Sequence, residues 1–248
     1  MTKRAKRVSE IEPELLAALN CGQIAATTYV EMTAVDFAKL LQCIAGNAPS
    51  ELLAQLHSSA GITTRMALVG NWLAQNRGEQ GIAPLANHPS DTVRGWACYL
   101  IAAIKDMPLP KRLTLIEPLA DDRHFGVREW AWIALRPHIA EDIKASVALL
   151  KDWSIKGANL RRFAAESTRP RGFWSKHIAL LKKSPELGLP ILDPLRADKA
   201  RYVQLSVGNW LNDAFKSQPE WVEGLCEKWS NLKGTESLII KRALRSKR

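Results

Sequence analysis

Little in this sequence points to a metal site, a disulfide framework or a β-sheet. It has four cysteines, Cys21, Cys43, Cys98 and Cys226; none belongs to a CxxC pair and each sits among apolar neighbours. That disfavours both structural zinc and a disulfide scaffold. The five histidines, His57, His88, His124, His138 and His177, never fall at HxxxH spacing, so no helical metal motif is present and no cofactor is implied. Strand signals are nearly missing: there is no run of alternating β-branched residues and no Asn-Gly or Asp-Gly turn. No apolar stretch approaches membrane-spanning length; the best, Ala97 to Ile104, contains Tyr99. The basic start Lys3-Arg4-Ala5-Lys6-Arg7 is not followed by the apolar run of a signal peptide, so a cytoplasmic chain is expected.

What is present is positive charge and helical periodicity. Lys plus Arg number 35 against 25 Asp plus Glu, a formal charge of +10, which favours polyanionic partners such as DNA, RNA or acidic membranes. The 248 residues, 46% of them hydrophobic, suffice for a sizeable core. Glu14 to Leu19, Ala34 to Ala45 and Ser50 to Leu56 carry apolar residues at spacings of three and four, which predicts helices.

The chain also repeats itself. Leu85 to Ala97 and Leu119 to Ala131 share one scheme: a leucine, a short polar turn, then Val-Arg-x-Trp-Ala, with Val93 and Val127 separated by 34. Asn159 to Ala164 repeats it loosely, 33 further on, and Val69-Gly70-Asn71-Trp72-Leu73 recurs identically at Val207 to Leu211, 138 residues later. A step of this size predicts stacked helical hairpins, each burying its apolar stripe against the next. The segment resembles HEAT repeats. Trp96, Trp130, Trp72 and Trp210 are expected in the core, and His124 in a turn.

Residues 160 to 174, Leu-Arg-Arg-Phe-Ala-Ala-Glu-Ser-Thr-Arg-Pro-Arg-Gly-Phe-Trp, resemble the signature of HEAT-like alkylpurine DNA glycosylases of the AlkC/AlkD superfamily, closest to the AlkC branch. Ser206 to Asp213, Ser-Val-Gly-Asn-Trp-Leu-Asn-Asp, resembles a second segment of that family. The resemblance implies catalytic roles for Glu166 and Asp213 and an aromatic role for Trp174. It also implies an all-α superhelical solenoid with a concave DNA-binding face, acting on duplex DNA that contains alkylated bases. A single HEAT-repeat-like domain over 1–248 is expected, with a basic arm at 1–10 and a basic tail at 241–248, in a monomer. Members of the AlkC branch often carry an added immunoglobulin-like domain; no β-rich segment is read in this sequence.

On their own terms, Arg162, Glu166 and Arg169 fall at i, i+4 and i+7, one helix face that Pro170 is expected to end. A carboxylate flanked by two arginines stays ionised. Arg161, Arg162, Arg169, Arg171 and Asn209 are the expected DNA contacts. In the echoed pentapeptide register, residue 75, opposite Asp213, is Gln, so the repeat itself does not require an acid there. Taken alone, Glu166 opposite Arg162 is first read as a solvated helix salt bridge; with both motifs present the reading reverses to catalysis. Trp174 is divided between core packing and an aromatic contact, and Glu129 is a supporting group at most. The function expected is hydrolysis of the N-glycosidic bond of cationic purines such as 3-methyladenine. A HEAT-like protein that binds unusual DNA without cutting it, and a helical protein scaffold, are the alternatives.

Overall fold

The computed structural model describes residues 6–57, 61–172 and 175–247. Among them there is no strand, as the all-α reading expects, and no helix is long and apolar enough to cross a membrane. The chain divides into two compact units, Met1–Ala134 and Leu135–Arg248. The first holds α1 (Pro13–Asn20), α2 (Tyr29–Ala34), α3 (Phe37–Ile44), α4 (Ser50–Leu56), α5 (Ile62–Arg77), α6 (Ile82–Ala86), α7 (Asp91–Ala103) and α8 (Leu109–Ala120). Helix α9 (Phe125–Glu141) runs from the first unit into the second. The second continues with α10 (Ile143–Leu150), α11 (Ala158–Ser167), α12 (Ala179–Lys183), α13 (Leu189–Leu195), α14 (Arg201–Phe215), α15 (Pro219–Ser230) and α16 (Ser237–Ala243).

The repeat arginines have one job throughout. Arg94 Nη1 donates to the carbonyls of His88 and Pro89, both at 2.8 Å. Arg128 Nη1 donates to those of Asp122 and Arg123, and Arg161 Nη1 to that of Lys156. Each ties its helix to the polar turn five or six residues earlier, satisfying carbonyls that the turn leaves unpaired. Gln204 repeats the pattern in α14, donating to Asp198 O at 2.8 Å. Arg94 and Arg161 also reach a carboxylate of the following turn: Asp122 at 2.8 and 3.1 Å, and Asp198 at 2.6 and 3.0 Å.

Between repeats the helices approach closely. A Cβ on Gly70 of α5 would lie 2.5 Å from Cβ of Tyr99 in α7, so only glycine fits. Trp96 and Trp130 are buried, as expected, and Trp210 is fully so; Trp72, at the matching position of the echoed pentapeptide, is only half-buried. The segment expected as one helix over Ala34–Ala45 is broken, because Asp36 accepts the Ala38 and Lys39 amides and starts α3 afresh. His124 sits at a turn, where its Nδ1 accepts the Gly126 amide. Cys98 and Cys226 are buried, but Cys21 and Cys43 are exposed with their sulfurs 3.3 Å apart, which corrects the expectation that each cysteine lies alone among apolar side chains.

Candidate active site

The second unit brings the two expected acids together through one guanidinium. Glu166 lies at the end of α11 and Asp213 near the end of α14, the helix packed against it. Arg169 follows α11. Its Nη1 donates to Glu166 Oε2 at 3.0 Å, and its Nε to Asp213 Oδ2 at 2.8 Å. Arg169 is thus a bridge, held between two nearly buried carboxylates that are 4% and 3% exposed.

Helix α11 stops at Ser167, before the expected end at Pro170. Thr168 causes the stop: its hydroxyl bonds back to Ala164 O at 2.8 Å, while Trp210 Nε1 takes the Thr168 carbonyl at 3.0 Å. A residue preceding proline also resists the helical conformation, which leaves Arg169 outside the helix and free to turn toward α14. Arg169 and Glu166 therefore meet across a helix end rather than along one helix face.

The turn after α11 is fixed by Arg136, a residue of α9 that is 1% exposed. Its guanidinium donates to Ser167 O at 2.9 Å, Arg169 O at 2.5 Å and Lys176 O at 3.3 Å. Burial, and then the charge of Arg169, bring Arg136 down to about 10. The sequence reading missed this residue, although an arginine directly after the apolar run Trp132 to Leu135 was a signal.

The surroundings treat the two acids differently. Burial pushes the Glu166 carboxyl up, but the Arg162 and Arg169 charges and a 2.7 Å hydrogen bond from Ser206 Oγ outweigh it and hold the group below the usual carboxylate range. Both Glu166 oxygens are occupied. Asp213 is shifted the other way: burial dominates, with Glu166 adding repulsion, and its carboxyl lies above the usual range despite Arg169 and Lys216. Among the described residues, Asp213 Oδ1 faces only Lys216 Nζ, at 3.9 Å. Ser206, which opens the second motif, fixes Glu166 through its hydroxyl.

The other expected residues are scattered in purpose. Arg162 stacks over Tyr202, 4.3 Å from the ring centroid, with its Nη2 3.9 Å from Glu166 Oε1. Arg161 is the repeat arginine paired with Asp198. Arg171 donates to the Asp213 carbonyl at 3.2 Å and to Ser217 Oγ at 2.7 Å. Asn209 accepts from Arg242 Nε at 2.7 Å. Glu129 accepts from Trp132 Nε1 at 2.8 Å. Trp174 lies outside the described residues. Among those residues no group of three His, Cys, Asp or Glu converges as a metal site.

Comparison with known proteins gives this geometry a context. No family model matches the chain. A stretch of 114 residues is 39% identical to the uncharacterized protein YhaZ of Bacillus subtilis (strain 168), covering 46% of this chain and 32% of that protein. Among solved structures, the alkylpurine DNA glycosylase AlkC of Pseudomonas fluorescens, bound to DNA containing an abasic site analog, matches with a TM-score of 0.67 and 26% identity. That match covers 98% of this chain and 65% of the AlkC chain. AlkD2 from Streptococcus mutans matches at 0.62 and 20% identity over 76% of this chain and 91% of its own. The smu.31 protein of Streptococcus mutans UA159 matches at 0.56 and 20% over 79% and 89%. The structural neighbours are therefore the AlkC and AlkD2 proteins, in agreement with the resemblance carried by the two motifs. The chain spans about a third of the length of the curated relative and about two thirds of the AlkC chain.

Proposed function

We propose that this protein is a DNA glycosylase that releases alkylated, cationic purines such as 3-methyladenine from duplex DNA. The observation that carries the reading is the Glu166–Arg169–Asp213 bridge in a chain whose fold is similar to AlkC. A purine alkylated on a ring nitrogen is positively charged and leaves as a neutral base. As its bond to C1′ breaks, positive charge builds on the sugar, as in other glycoside hydrolysis. Fixed anions beside C1′ stabilise that charge more in the transition state than in the ground state.

The two acids divide the work. Glu166, with both oxygens occupied and its carboxyl held low, supplies a fixed negative charge. Asp213 has the more basic carboxylate and an oxygen, Oδ1, whose neighbour Lys216 stands 3.9 Å away. It positions the water and accepts its proton as the oxygen bonds to C1′. No general acid is required, because the leaving group already carries its charge. The protein acts as a single HEAT-like domain, as a monomer in the cytoplasm.

A non-catalytic binder of unusual DNA is the second reading, and the low exposure of both carboxylates favours it. Base release from methylated duplex DNA, resolved by chromatography, decides between them. Wild-type protein releases 3-methyladenine, while Glu166→Gln and Asp213→Asn lower the rate by about 100- to 1,000-fold with DNA affinity retained. Equal release by all three at matched occupancy refutes the catalytic assignment.

A further inference from the structure

Helices α14 and α16 carry a matched pair of rungs. Asn209 and Asn212 lie three residues apart on α14, and Arg242 and Arg245 lie three apart at the end of α16 and just beyond it. Arg242 Nε donates to Asn209 Oδ1 at 2.7 Å, and Arg245 Nε donates to Asn212 Oδ1 at 2.9 Å. In each rung the asparagine takes the inner nitrogen of the guanidinium. Among the described residues, the outer nitrogens of both arginines hold no protein acceptor, and neither arginine has a carboxylate partner.

One of the two asparagines is itself anchored. Asn212 is fully buried, and its amide donates to Ala243 O and to Ser246 Oγ, both at 3.0 Å. Gly208, beside Asn209, lets α16 come close, since a Cβ there would lie 2.8 Å from Cβ of Arg242. A long, flexible side chain fixed at its inner nitrogen presents two outer N–H-bearing nitrogens in a set direction, the geometry that matches two oxygens of one phosphate. Neighbouring lysines do not share this state: Lys247 pairs with Glu223 at 2.9 Å and Lys199 with Glu236 at 2.6 Å.

Arg242 stands in a crowd of like charge. Burial, then Arg245 and Arg169, with Arg201 adding to them, bring it below its ordinary value; Glu166 alone opposes. Uncompensated like charges held together cost free energy unless an anion joins them. The same place holds Glu166 and Asp213, two carboxylates that repel a polyanion, so local cations are needed to seat DNA there.

We propose that Arg242 and Arg245 form a phosphate fork, aimed by Asn209 and Asn212, that grips the backbone phosphates of duplex DNA beside the carboxylate pair. The proposal rests on the reading of this protein as acting on DNA, and it gives the end of the chain a directed contact in place of a diffuse basic tail.

The test is binding rather than base release. The full chain is titrated onto an undamaged, fluorescent DNA duplex, followed by anisotropy, from about 50 to 200 mM salt. Arg242→Gln and Arg245→Gln each lower affinity roughly tenfold and reduce the log–log salt slope by about 1. Lys241→Gln removes an equal charge from an exposed position on the same helix and leaves affinity and slope unchanged. Asn209→Ala keeps every charge but frees Arg242, so affinity falls several-fold with little change in slope. Thermal melting of each variant establishes that it is folded. Wild-type slope in both arginine variants, an equal loss in Lys241→Gln, absence of wild-type binding, or tighter binding to duplex RNA overturns the proposal. Wild-type protein that binds through these arginines yet releases no base overturns the glycosylase reading and leaves the fork standing.

Discussion

Asp213 takes two contacts from Arg169 on a single oxygen: Oδ2 lies 2.8 Å from Nε and 2.7 Å from Nη2. The remaining Nη1 is spent on Glu166. All three guanidinium nitrogens thus meet the two carboxylates, and Arg169, expected at the DNA backbone, holds the acids in register. Lysine cannot replace it, because one ammonium cannot span both carboxylates with the same planar fork. Arg169→Lys should lower single-turnover base release by about 100-fold while duplex affinity changes little. A loss confined to affinity would show that Arg169 serves phosphate after all.

Arg161 gives the opposite case to a surface contact. Its fork closes on Asp198, whose Oδ1 also accepts the Ala200 amide just before α14. Removing it leaves a buried carboxylate short of its cation. Arg161→Gln should cost about 2 kcal/mol of stability, read by urea unfolding, with the salt slope of DNA binding unchanged. A slope reduced by about 1 would return Arg161 to the phosphate contacts.

The role of Arg161 was written in the repeat itself. It stands 33 residues after Arg128, which stands 34 after Arg94, and all three bond the preceding turn. A residue type that recurs at each repeat serves the repeat, whereas Glu166 and Asp213 have no such counterparts. Helix class, hairpin period and buried Trp96 and Trp130 were legible because spacing determines them, whereas the roles of Glu166 and Asp213 were expected from the resemblance carried by the two motifs. The bridging posture of Arg169 was not, since it depends on where α11 ends, and that end is fixed in part by a hydrogen bond from Trp210, 42 residues away. The rungs at Arg242 and Arg245 were hidden for a similar reason: a run of basic residues near a terminus looks the same whether it is solvated or aimed by asparagines on another helix.

Arg136 carries a heavy structural load. Without it the carbonyls of Ser167, Arg169 and Lys176 lose their donor where little water reaches. Arg136→Leu should therefore destabilise the fold by about 3 kcal/mol, a fall of roughly 6–12 °C in Tm for a chain of this size. Calorimetry showing an unchanged melt would mean that the turn after α11 is held by other contacts.

The acid limb of the pH–rate profile should belong to Asp213. Its carboxyl is raised by burial, so it gains a proton at a higher pH than an ordinary aspartate, and it must be ionised to accept a proton from water. Glu166 is held below the usual range and stays charged as the pH falls through that limb. Lys216 lowers the Asp213 carboxyl from 3.9 Å away. Lys216→Gln removes that influence, so the limb should move to higher pH. Stability follows different signs. The contribution of Glu166 is present above its unfolded-state pKa and is lost only as pH falls through its lower folded value. Protonating Asp213 relieves the cost of burying its charge, so the fold is not weakened where activity first declines. Circular dichroism at each pH should show an intact fold across the activity limb. A limb that stays in place in Lys216→Gln, or one that coincides with unfolding, would exclude Asp213 as the group that takes the proton.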